Sequence, residues 1–110
     1  MSVIRVELGT VAVLSLQTYD GDVAVFPQAR VYDKNFSEVS GSPFALTHVA
    51  GGLYKNTSFT PTTQGIYHAT YKVYSDSGFT AQLKRHAIVM DEFDVNNLFN
   101  DIDSNEGRAI

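Results

Sequence analysis

The chain has no cysteine and no tryptophan, and only three prolines and two methionines among its 110 residues. Without cysteine there is neither a disulfide framework nor a thiolate metal site. No apolar run approaches the roughly 20 residues that a membrane-spanning helix requires. Met1-Ser2-Val3-Ile4-Arg5 lacks the basic head and long apolar stretch of a secretory signal, so the chain is expected to be made and to stay on the cytoplasmic side of export. Charged residues make up only 18% of the chain, and they are unevenly placed. Of twelve acidic and eight basic side chains, six and one respectively lie within residues 91–110, which leaves a near-neutral body of six against seven. No basic face emerges to follow a phosphate backbone, which argues against nucleic acid as a partner.

What is present is apolar and aromatic. An apolar fraction of 44%, with seven phenylalanines and six tyrosines, supplies a core for one domain without help from a metal or a crosslink. Its clearest element is Gly65-Ile66-Tyr67-His68-Ala69-Thr70-Tyr71-Lys72-Val73-Tyr74, where a glycine precedes strict alternation. Tyr67, Ala69, Tyr71 and Val73 share one face of a central β-strand, and His68, Thr70, Lys72 and Tyr74 the other. Val3 to Leu8 alternates in the same way, and so do Ala12, Leu14 and Leu16 opposite Ser15 and Gln17. Asp20-Gly21-Asp22 reads as a hairpin turn, because an EF-hand loop would need further carboxylates that are missing here. Val23 to Asp33 follows with Ala29 and Val31 inward, and Pro27, which has no amide donor, predicts an edge or a bulge. Asp33 to Pro43 is polar and turn-rich. Phe44 to Val49, Leu53 to Thr60, and Phe79 to Met90 complete about seven or eight strands.

The end of the chain changes period. Val95, Leu98, Phe99 and Ile102 stand at i, i+3, i+4 and i+7, with Asp94 placed to cap a short amphipathic helix. The expected organisation is therefore a β-sandwich over 1–90 and an acidic, helical or extended segment over 91–110. Val95, Leu98, Phe99 and Ile102 become the expected partner-binding stripe. Lys84 and Arg85, which alternation would turn partly inward, suit an edge, a bulge, or ion pairs with the acidic segment.

Thr63-x-Gly65-x-Tyr67-x-Ala69 resembles the corner before strand F of immunoglobulin-like domains, with Ala69 where those domains carry a cysteine. The resemblance implies an all-β, immunoglobulin-like antiparallel sandwich in which Gly65 and Tyr67 form a structural corner, the tyrosine hydroxyl bonding back to the backbone. Leu46-Thr47-His48-Val49-Ala50-Gly51-Gly52-Leu53-Tyr54 and Val73-Tyr74-Ser75-Asp76 look like small structural proteins of tailed bacteriophages. That likeness implies a non-enzymatic virion component of capsid or tail, synthesised in the host cytoplasm, which contacts other virion proteins and assembles as a homo-oligomer.

No motif names a reaction. His48, His68 and His86 lie far apart with no close ligand spacing, so no metal or other cofactor is expected. Val39-Ser40-Gly41-Ser42 lacks the flanks of a nucleophile elbow, and the clustered carboxylates Asp91, Glu92 and Asp94 fit a solvated segment better than a catalytic cleft. The alternative from another class is a carbohydrate- or cell-surface-binding module. Tyr74 and Phe79 would be its exposed rings, with Tyr71 expected in the core.

Overall fold

The structure, a computed structural model, describes residues 2–18, 21 and 23–97. Eight strands occur among them: β1 (Ser2–Glu7), β2 (Leu14–Gln17), β3 (Phe26–Tyr32), β4 (Phe44–Ala45), β5 (Thr47–Ala50), β6 (Leu53–Asn56), β7 (Gly65–Tyr74) and β8 (Val89–Asn96). Alternation along β7 dictates how they assemble. Its odd-numbered residues from Tyr67 to Val73 are buried and its even-numbered ones are half-exposed, so the strand must have one dry face and one wet face. It lies in the middle of a five-stranded sheet of order β1-β8-β7-β3-β4, and a three-stranded sheet of order β2-β6-β5 covers the dry face.

The two sheets make an all-β sandwich in which the strand orders β2-β6-β5 and β3-β7-β8 resemble B-E-D and C-F-G of immunoglobulin-type sandwiches. One pair departs from the antiparallel expectation: β1 runs parallel to β8, Val6 beside Val95. Between the sheets Ala29, Val31, Ala69, Tyr71 and Phe93 face Leu14, Leu16 and Tyr54. Phe59, from the connection after β6, inserts between the sheets. Its ring centroid lies 5.8 Å from Phe44, 5.6 Å from Tyr67 and 6.2 Å from Phe93. Tilted and edge-on pairs of this kind add about 0.5–1.5 kcal/mol each beyond area burial.

Several sequence expectations need correction. No hairpin joins β2 to β3, because they belong to different sheets; Gly21 has positive φ, at 71°, and Asp20 and Asp22 lie outside the described residues. Pro27 does not mark an edge strand, since β3 lies between β7 and β4. The Pro27 carbonyl accepts from Leu46 N at 3.0 Å, and with no amide to return that bond the β3–β4 ladder ends after two residue pairs. There the chain leaves the larger sheet, so the expected strand 44–49 is really β4 and β5, divided at buried Leu46. Gly51 (φ 55°) and Gly52 (φ 88°) then close the two-residue hairpin to β6. A Cβ on Gly52 would come within 2.4 Å of Thr18 Oγ1 and 2.7 Å of Gly21 Cα, so only glycine fits there.

Residues 79–88 are no strand. The Asp76 carboxylate accepts from Thr80 N, Thr80 Oγ1 and Ala81 N, which coils the chain into a loop, and only Gln82 bridges back to Tyr74. The proposed helix cap at Asp94 and first helical residue at Val95 are instead inside β8. Phe93 and Val95, buried at period two between β1 and β7, outweigh the helical spacing. The boundary drawn at residue 90 therefore cuts through β8. Leu98, Phe99 and Ile102 lie outside the described residues.

Truncation after Met90 should abolish folding, because it removes the strand that joins β1 to β7, whereas truncation after Asn97 should leave a cooperative thermal transition. Circular dichroism melts of the two proteins check this. Phe93→Ala should cost about 3–5 kcal/mol by denaturant unfolding, and Val3→Ala, on the wet face, within about 0.5 kcal/mol.

Candidate functional site

The corner residues meet at the start of β7. Tyr67 Oη donates to the Thr63 carbonyl at 2.7 Å, and Gly65, at φ 147°, turns the chain into the strand. A Cβ on Gly65 would press on Lys34 Cδ at 3.3 Å. Burial raises the Tyr67 pKa, opposed by the bond to Thr63 and assisted by the charge of Asp33. This corner is a structural anchor. Of the expected partner-binding stripe, Val95 is only 1% exposed and is core, so it presents nothing to a partner. Lys84 and Arg85 are exposed on the turn 84–86, outside any strand, so alternation does not constrain them.

The three histidines are separated. His48 lies on β5 with its ring 5.2 Å from that of Tyr54, His68 on β7, and His86 is buried on the 84–86 turn rather than on a strand. Among the described residues no group of three or more histidine, aspartate or glutamate side chains is placed to hold a metal ion. Tyr71 is the most deeply buried titratable group on β7. Its hydroxyl has no hydrogen bond of good geometry, and burial foremost, then the nearby Asp91 carboxylate, pushes its pKa upward. A phenol held neutral in this way is neither a base nor a nucleophile at neutral pH.

The wet face of the larger sheet is different in kind. Registers between β3, β7, β8 and β1 set its side chains in successive levels along the strands: Gln28 with Lys72, then Arg30 with Thr70 and Met90, then Tyr32 with His68, Glu92 and Val3, then Ile66 with Asp94 and Arg5. Over the middle levels lies Phe36, from the loop after β3. Asp33 builds that loop: its Oδ1 accepts from Asn35 N and Ser37 N, and its backbone exchanges bonds with Phe36 N and Ser37 O. The loop holds Phe36 at φ 61°, a conformation that costs a bulky residue roughly 1–2 kcal/mol, and leaves it 71% exposed. The ring stacks on His68, centroids 5.2 Å apart and planes 18° from parallel.

Tyr32, Phe36, His68, Thr70 and Met90 thereby line an open hollow of about 270 Å3. Val3 and Met90, both well exposed, continue the apolar surface. His68 Nε2 lies 3.7 Å from Glu92 Oε1, while its Nδ1 is buried without a partner. Charge divides across the hollow. Lys72 and Arg30 stand on one side, the latter 3.2 Å from Glu38, and Glu92 and Asp94 stand on the other, with Arg5 beside Asp94 on β1. The sequence reading missed Phe36 because it lies in a stretch classed as polar turn. The available signal was a lone phenylalanine between Asn35 and Ser37, where a turn calls for glycine or asparagine. No protein-family model matches the chain, and neither does any curated protein.

Tyr67→Phe should destabilise the fold by roughly 1–3 kcal/mol in denaturant unfolding, because it leaves the Thr63 carbonyl without its donor. Raised tyrosine pKa values also fix an alkaline limit. Below about pH 10 folded and unfolded phenols are both neutral; above it the unfolded chain ionises first, so stability should fall as pH rises. Unfolding midpoints between pH 8 and 12, compared for wild type and Tyr71→Phe, check this: the variant should lose less stability above pH 10.

Proposed function

We propose that this chain is a non-enzymatic structural protein of a bacteriophage particle, acting through protein–protein contacts made by the wet face of its five-stranded sheet. The observation that carries the contact mechanism is Phe36: an aromatic ring held at positive φ, mostly in solvent, on the wall of an apolar hollow flanked by opposite charges. Strained backbone persists where surrounding structure over-determines it, and here the Asp33 bonds do so. An exposed aromatic anchor that a partner can bury, with a charged rim, is the arrangement from which contact energy and orientation come. The virion assignment is supported by the likeness of residues 46–54 and 73–76 to small phage structural proteins, and leaves open whether the protein sits on capsid or tail.

A glycan-binding reading would rest on Tyr74 and Phe79. Their rings meet edge-on with centroids 5.5 Å apart, and both are half-buried, which offers a sugar no open aromatic platform.

Particles of the encoding phage should contain the protein at fixed stoichiometry, and Phe36→Asn should lower its incorporation at least tenfold. Quantitative mass spectrometry of purified particles checks both. Absence of the protein from particles would remove the virion assignment.

A further inference from the structure

We infer that the partner seated on the wet face is a second copy of this chain, bound through an isologous two-fold contact centred on the Phe36 hollow. The inference rests on the proposed use of this face as a contact surface, and not on the virion assignment. Charge placement points to this occupant. The levels of Lys72 and of Asp94, the latter shared with Arg5, lie on opposite sides of the hollow, with Arg30 and Glu92 closer to it; Lys72 and Arg30 against Glu38 leave the first side cationic, and Glu92 and Asp94 against Arg5 leave the second anionic. A two-fold axis lying in the interface, across the strands and through the hollow, exchanges those levels. Lys72 of one copy then approaches Asp94 of the other, and the same contact is made twice, as isologous symmetry requires. Any relative orientation that set like levels together would place Lys72 against Lys72 and Asp94 against Asp94, which is repulsive.

Shape agrees with charge. At the axis each copy offers both a projecting ring and a recess, since Phe36 stands beside the hollow bounded by Tyr32, Thr70 and Met90. A two-fold operation brings the ring of each copy to the recess of the other. The wet face also suits the spacing of about 10 Å at which sheets pack face to face, with Phe36 and Met90 as the interdigitating side chains. A partner unrelated in sequence would need a surface bearing the complementary charge order, whereas this chain already carries it.

The test is sedimentation equilibrium of the purified full-length chain, with thermal melts as a control for folding. Wild type should dimerise reversibly. Phe36→Asn keeps a residue that tolerates positive φ, so it should retain its melting transition while weakening association at least tenfold. Lys72→Glu and Asp94→Lys should each weaken association roughly tenfold, and the double variant should recover most of it, because the swapped charges again meet across the axis. A wild-type chain that stays monomeric up to about 1 mM, a dimer unaffected by Phe36→Asn, or a double variant no better than the singles would each overturn the inference. A monomeric chain whose incorporation into particles still depends on Phe36 would overturn the second-copy inference and leave the proposed function standing. A Phe36-dependent dimer absent from particles would do the reverse.

Discussion

Everything in this fold hangs on the burial of one face of β7. Tyr67, Ala69, Tyr71 and Val73 cannot leave water unless a second sheet covers them and strands lie on both sides to satisfy the backbone. β3 and β8 supply those neighbours, and β2 with β6 supplies the cover. The size alternation matters as well: small Ala69 lies between two tyrosines and leaves room for Phe93 and the inserted Phe59 ring, so the layers interlock. The corner bond from Tyr67 to Thr63 then fixes where the chain enters this strand, and the register of its neighbours follows.

Two aspartates do for the loops what the core does for the strands. Asp33 and Asp76 each accept several nearby backbone donors through one carboxylate, and each is followed within three residues by a phenylalanine at positive φ. Local side-chain bonds of this kind compete with the sheet ladder for the same amides. At Asp76 the competition removes residues 79–88 from the sheet. At Asp33 it lifts Phe36 onto the wet face instead of letting it continue β3. The Asp76 carboxylate is held below its ordinary pKa by these bonds, with Thr80 the largest contributor, so the loop keeps its charged anchor down into the acid range.

The proposed contact role draws on how this surface is built. The titratable groups at the wet face lie in rows on strands, half-buried at His68 and Glu92, and the buried phenol of Tyr71 is held neutral by its surroundings. The wet face carries an apolar centre and charges of opposite sign on its two sides, which in the proposed contact would set affinity and orientation respectively. Because all of it is carried by paired strands and a bonded loop, little ordering cost remains to be met on association.

Period-two burial is a local property, so β7 and the inward sets at Leu14 and Leu16, and at Ala29 and Val31, could be read directly from spacing. Tyr67 could be placed at a corner from the likeness of Thr63-x-Gly65-x-Tyr67 to the corner of immunoglobulin-like domains. Sheet membership is not local. The sequence around Leu46 is continuous in pattern, and only the missing amide of Pro27, seen across the ladder, divides it between sheets. Val95 satisfies both a helical and a strand period. Its true state was decided by vacant backbone partners on β1 and β7, more than 20 residues away along the chain, which a window of sequence cannot contain. Phe36 shows the same limit from the other side: its exposure follows from the Asp33 loop and the position of His68, and both become neighbours only once β3 and β7 are paired.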